Sequence, residues 1–300
     1  MISVIIPSYN SQSTIEKCLD ALYAQTYRGE FEIILADSSV DKTPEIVTTR
    51  YPQVQLIHFE RKTDPGTARN HGVKESRGEI ILFIDSDCEA DREWMEKIVS
   101  LHREFPEVAA IGGAAINGNP LHDNVGWAGY MGEFREFIPQ QPRGFVPHIP
   151  TLNISYKRWV FEKLGYFDPR YYPQEDLVFN YQVTQSGYRI LFSPDIRVKH
   201  THRSDFRTFL QHQKKIGHIT SRVLKVLPLP GASIARNKIL FLTVGPLLPA
   251  VKLFRTLMVF IQKNPAIVFR HPMAVIVLKI GLVYWFWGFG KGVFAPGMEH

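Results

Sequence analysis

Five consecutive apolar residues, Ile80 to Ile84, run directly into two carboxylates, Asp85 and Asp87. A run this short, opened by Gly78 and closed by turn residues, reads as a strand buried on both faces, which belongs in a parallel sheet covered by helices. In such sheets ligands bind in the crevice beyond the carboxyl ends of the strands. Two acids this close repel each other unless a proton or a cation intervenes. A divalent metal with hard oxygen ligands resolves the repulsion and in turn holds a phosphate. Asp85-Ser86-Asp87 is equally good turn chemistry, so the surrounding pattern has to decide.

That pattern is an alternation. Strands are predicted at Ser3–Ile6, Phe31–Ala36, Val54–Phe59 and Glu79–Ile84. Between them lie helices at Ser11–Ala24, with Ile15, Leu19 and Leu22 on one face, at Thr43–Tyr51 and at Gly66–Ser76; Asp91 caps a further helix reaching Glu104. The β-α-β-α order predicts an α/β fold with a mostly parallel, doubly wound sheet. From Val108 the order loosens: Gly112-Gly113 and the Gly- and Pro-rich stretch to Pro150 read as loops around a cleft. A helix over Asp176–Ser186 stops at Gly187, and short strands follow near Arg189–Phe192 and Ile196–His200.

With 300 residues, 45% of them hydrophobic and 21% charged, the chain can bury a sizeable core, which excludes wholesale disorder. Cys18 and Cys88 lie far apart and read as reduced thiols of a cytosolic setting. The start, Met1 to Ile6, lacks a basic segment and breaks at Pro7, so no signal peptide is expected.

Charge divides the chain. Residues 199–300 hold fifteen Lys and Arg against two acids, a net of +13, and residues 1–198 hold twenty against twenty-seven, a net of −7. No acid occurs from Phe206 to Met298. Basic and apolar together point to an anionic membrane surface and away from nucleic acid. No uncharged run there reaches the length of a spanning helix: Gly245, Pro246 and Pro249 interrupt one stretch, Lys252 and Arg255 the next, Lys279 and Lys291 the last. Helices lying in the interface are expected, a short re-entrant hairpin being one variant. Trp285, Phe286, Trp287 and Phe289 suit an interfacial anchor. Packing of these helices against the rest of the chain is the alternative.

Several polar segments fall at strand ends on one side of the predicted sheet: Pro7-Ser8-Tyr9-Asn10, Asp37-Ser38-Ser39, the helix-opening Asp64 to Gly72, and Asp85-Ser86-Asp87. Tyr9 can stack a base, Asp37 can accept a hydrogen bond from base or ribose, and Arg69 can contact phosphate or pyrimidine beside a backbone that Gly66 lets pass close. Singly each has a plain structural explanation; together they describe a nucleotide-diphosphate site.

Ser3 to Asn10, Asp37 to Thr43, Gly66 to Gly72, Asp85-Ser86-Asp87 and Glu175-Asp176, in that order, resemble the family 2 glycosyltransferases of GT-A fold over roughly residues 1–205. The resemblance implies a catalytic domain over 1–205, its nucleotide half about 1–110 and its acceptor half about 111–205, followed by a membrane-associating helical region over 206–300. It implies an inverting, metal-dependent transfer of one sugar from a nucleotide diphosphate, with a UDP-sugar the expected donor. Pro7, Tyr9, Asp37, Arg69 and Asp85 are expected at the nucleotide, with Asp85 at the ribose or supporting the metal. Asp87 is expected on Mn²⁺ or Mg²⁺, with His200 as a further ligand or simply a surface or core histidine.

Asp176 is implied as the base that deprotonates the acceptor hydroxyl, though acids at a helix start are common in their own right. Glu175, Lys214 and Lys215 are expected at acceptor or diphosphate, the two lysines serving equally well as a membrane-facing basic turn. Only one acid follows the second strand, and the Gln-x-x-Arg-Trp motif of processive synthases is absent, which argues for single transfers. The basic, apolar tail suggests a lipid-linked or growing-glycan acceptor at the cytoplasmic membrane face, with the chain peripheral or monotopic. A sugar-nucleotide-forming nucleotidyltransferase needs a Gly-rich loop where Pro7 to Ser11 stands; a non-catalytic membrane scaffold would not need the acids at 85, 87 and 176.

Overall fold

The computed structural model describes residues 1–296, so the last four residues of the expected helical region lie outside it. The chain forms two compact units, one of residues 1–116 with 137–200 and one of 117–136 with 201 onward. The expected boundary near Asp205 is close to that division, but the second unit also takes in a segment expected within the acceptor half.

In chain order, β1 (Ile2–Ser8), α1 (Ile15–Tyr23), β2 (Phe31–Asp37), α2 (Thr43–Arg50), β3 (Gln55–His58), α3 (Pro65–Glu75) and β4 (Ile80–Ile84) follow the predicted alternation. Then come β5 (Cys88–Ala90), α4 (Trp94–Glu104) and β6 (Ala110–Asn117). The helix α5 (Asn124–Phe134) belongs to the second unit. The first unit resumes with β7 (Gly144–Val146), β8 (Asn153–Lys157), α6 (Arg158–Leu164), α7 (Glu175–Gln185) and β9 (Ile190–His200). The second is completed by α8 (Phe206–Val226), α9 (Ala232–Arg236), α10 (Lys238–Val244), α11 (Leu248–Lys263), α12 (Pro265–Arg270) and α13 (Pro272–Phe294).

The sheet of the first unit runs β3-β2-β1-β4-β8-β6-β9-β5, with β7 also on β9. Parallel pairings join β3, β2, β1 and β4. The β4–β8, β6–β8, β5–β9 and β7–β9 pairings are antiparallel. All seven residues of β1 are buried, as a strand between two helical layers requires. The stretch expected to be loops holds strands, because Gly112 and Gly113 are packing glycines. A Cβ on Gly112 would stand 2.4 Å from the Asn153 carbonyl oxygen, and one on Gly113 would stand 1.9 Å from that of Ile196. The two short strands expected near 189–200 are the single strand β9, which continues through Pro194.

In the helical unit α13 lies along α8 with backbones in contact. A Cβ on Gly217 would meet the Trp285 carbonyl oxygen at 1.9 Å, and one on Gly288 would meet that of Lys214 at the same distance. Two segments, Lys238–Lys263 and Pro272–Phe294, are long and apolar enough to cross a membrane, with mean hydropathy 1.6 and 1.7. The length that the sequence lacks as uncharged runs is thus supplied by helices that continue through their lysines.

Candidate active site

The carboxyl ends of β1, β2, β3 and β4 lie along one edge of the parallel half-sheet, and the segments that follow them are tied together. Asn10, at φ 53°, adopts the left-handed conformation that asparagine tolerates. Its amide donates to Ser39 Oγ at 2.7 Å and its side-chain carbonyl accepts from Val40 N at 3.0 Å. Tyr9 beside it is 40% exposed, with Lys62 Nζ 4.1 Å from its ring centroid. Pro7 is buried within β1.

Asp37, the last residue of β2, is completely buried. Its Oδ2 accepts from Ser39 N at 3.0 Å and lies 2.9 Å from His58 Nδ1, while Oδ1 accepts from Ser39 Oγ at 2.5 Å. The parallel register places Asp37 opposite His58 at the end of β3. Asp37 therefore presents no face to a ligand, whereas the His58 side chain is 40% exposed.

Asp64 caps α3, accepting from Thr67 N at 2.9 Å, with Pro65 as the first helical residue. One turn on, Arg69 is 4% exposed and forks between two acids: Nη1 donates to Glu175 Oε1 at 2.9 Å and Nη2 to Asp85 Oδ1 at 2.7 Å. Burial opposes its charge, but Asp85 and Glu175 more than offset this and hold the guanidinium more firmly protonated than usual. Glu175 is 3% exposed. Burial pushes its carboxyl up to about 7, with Arg69 opposing and Asp176 adding to the rise. Gly66 makes this approach possible, since a Cβ there would stand 3.0 Å from Glu175 Cγ. Arg69 and Glu175 were expected at the ligand; instead they are sealed beneath the surface and brace α3, α7 and the turn after β4. A buried arginine with two acids in reach is better satisfied by them than by solvent.

The repulsion foreseen between Asp85 and Asp87 is relieved by divergence. Asp85 turns to Arg69, and Asp87 turns to His200, whose Nε2 lies 3.3 Å from Asp87 Oδ1. The β5–β9 pairing sets Cys88 opposite His200, so ligand atoms of Asp87, Cys88 and His200 lie within 4.8 Å of one another. The Cys88 thiol is buried, and burial first, then Asp87 and Asp85, push its pKa well up. A protonated thiol ligates poorly, leaving the half-exposed Asp87 carboxylate and the His200 imidazole. A hard carboxylate oxygen and an imidazole suit a divalent cation such as Mn²⁺.

Asp176 sits in the first turn of α7. Its Oδ1 accepts from Leu177 N at 2.7 Å, and its Oδ2 accepts from Thr151 N at 3.1 Å and Thr151 Oγ1 at 3.4 Å. It is half-buried, as a base that must reach an acceptor has to be. Thr151, His58 and Cys88 escaped sequence reasoning because each acts through a pairing across the fold. Only the position of His58 at the end of an apolar run offered a signal.

Lys214 and Lys215 belong to α8 in the helical unit. Lys214 Nζ lies 3.9 Å from the Trp287 ring centroid, and Lys215 is exposed.

Comparison with known proteins bears on this arrangement. The family model described as glycosyl transferase family 2 matches residues 3–165. Glycosyltransferase AglE of Haloferax volcanii is 29% identical over 226 residues, which is 72% of this chain and 71% of that protein. Among solved structures, the mannosyltransferase PcManGT from Pyrobaculum calidifontis, in complex with GDP-Man and Mn²⁺, superposes with a TM-score of 0.62 at 19% identity, covering 98% of this chain and 87% of that one. Residues 1–349 of S. aureus TarS, in complex with UDP-GlcNAc, give a TM-score of 0.56 at 20% identity, covering 97% and 90%.

Proposed function

The chain belongs to glycosyl transferase family 2, and from that premise we propose that it is an inverting, metal-dependent enzyme moving one sugar from a nucleotide diphosphate to a lipid-linked or growing-glycan acceptor at the cytoplasmic face of a membrane. Asp87 facing His200 at the carboxyl edge of the sheet, in a unit that also presents Asp176, is the observation that carries it. UDP is the expected nucleotide. Tyr9 and the Asp37–His58 pair take the nucleoside and Asp85 lies at the ribose. Asp87 and His200 are the residues that would hold Mn²⁺ or Mg²⁺, which would supply positive charge to the leaving diphosphate.

Asp176 takes the proton of the acceptor hydroxyl as that oxygen attacks the anomeric carbon from the face opposite the diphosphate. The two Thr151 donors on Oδ2 fix the carboxylate's direction, so that the attacking oxygen is oriented as well as deprotonated. Arg69 and Glu175 hold the turn bearing Asp85 and the helix start bearing Asp176 at a fixed spacing.

Membrane association is supported by the helical unit, which exposes Ile239, Leu247, Phe254, Phe269, Ile276 and Trp287. Its α13 is packed lengthwise on α8, which carries Arg207, Lys214, Lys215, Arg222 and Lys225. Spanning would drag those charges into hydrocarbon at about 3 kcal/mol or more each. Lying in the interface leaves them among lipid headgroups.

The test is thermal stabilisation by nucleotides. UDP with Mn²⁺ raises the melting temperature, and UDP with a chelator raises it less. Equal stabilisation by nucleoside triphosphates without metal argues for a different enzyme.

A further inference from the structure

Asp37 is the strand-end acid expected at the nucleoside, yet its carboxylate is at zero exposure with its hydrogen bonds spent on Ser39 and His58. We infer that His58, oriented by Asp37, is the residue that selects the nucleobase, and that it selects bases carrying an imide or lactam N–H (uracil or guanine) over those presenting a bare ring nitrogen (cytosine or adenine). The inference deepens the donor assignment above and rests on it.

A carboxylate can only accept, so Nδ1 of His58 carries the hydrogen that faces Asp37 Oδ2 at 2.9 Å. In the neutral ring this fixes Nε2 as an acceptor. No hydrogen bond joins Nε2 to any other group among the described residues. The side chain is 40% exposed at the carboxyl end of β3, on the edge that also presents Tyr9. An acceptor there pairs with uracil N3–H or guanine N1–H, and meets cytosine N3 or adenine N1 lone pair to lone pair. Asp37 thus acts through the imidazole, as a buried acid that locks one tautomer and one ring orientation.

Calorimetric titration of UDP and CDP, each with Mn²⁺ at pH 8, tests this in three chains. In His58→Asn the side-chain amide takes the place of Nδ1, keeping the bond to Asp37 but removing the acceptor. In His58→Gln an amide oxygen stands where Nε2 was. The intact chain is expected to favour UDP over CDP by about tenfold or more, the worth of one unpaired buried polar group. His58→Asn is expected to bring that ratio close to one, and His58→Gln to restore most of it. An unchanged UDP-to-CDP ratio in His58→Asn overturns the inference, even if that variant is less stable. So does an intact chain that binds both nucleotides equally. An intact chain that binds neither overturns the donor assignment, and the inference with it.

Discussion

Asp176 and Thr151 make a pair whose consequences separate by substitution. Asp176→Asn keeps the shape and the α7 start but cannot take a proton, so transfer falls by about 100-fold or more while UDP affinity holds. Unchanged turnover in a donor–acceptor assay removes Asp176 from its role. Glu175 gives a pH signature. Its folded pKa of about 7 lies above the ordinary 4.5, so the native state keeps a proton that the unfolded chain has already released. The stability this contributes is complete below about pH 4.5 and is lost as pH rises through 7. Glu175→Gln has no such proton, and its melting temperature is expected to decline less than that of the parent chain between about pH 5 and pH 8. Matching slopes in the two chains refute the assignment. Arg69→Leu strands two acids and is expected to cost about 3–5 kcal/mol in denaturant unfolding, far beyond the loss of a surface contact.

The elements were legible where periodicity was clean. Strands β1 to β4 carry apolar residues in short runs and helices α1 and α4 an apolar stripe, and their polar punctuation marks the ends that form the candidate site. Strands β6 and β8 were illegible, since Gly112-Gly113 imitates a loop and only the partners, Asn153 and Ile196, explain the glycines. Pro194 likewise disguised β9 as two strands. The site residues were visible as strand-end polar groups, but not their partners: nothing in one dimension says that Arg69 faces Glu175, 106 positions away, or that Asp37 spends itself on His58. The α8–α13 contact makes a prediction of the same kind. Gly217→Val, placing side-chain carbons against the Trp285 carbonyl, is expected to destabilise the helical unit by about 1–3 kcal/mol and lower its melting temperature. No loss of stability would mean that the two backbones are not in contact.

In the whole molecule an acidic α/β unit is joined to a basic helical one, and that asymmetry was readable from charge alone. That two helical segments are long and apolar enough to cross a membrane was not, because the stretches that lysines interrupt as sequence are continuous as helices. An interfacial α13 leaves Lys279, which is exposed, at the aqueous boundary. Lys279→Cys in the vesicle-bound chain is then labelled by a water-borne maleimide, against a background of two buried native thiols. A spanning α13 would shield that position.

Binding of a nucleotide diphosphate through a cation held by Asp87 and His200 is tested most directly by titrating UDP calorimetrically with Mn²⁺ and again with chelator, in the parent chain and in Asp87→Ala. Uptake that needs the metal and weakens at least about tenfold in the variant is the predicted outcome. Heat that is the same with chelator and in Asp87→Ala, or no heat at all, contradicts it.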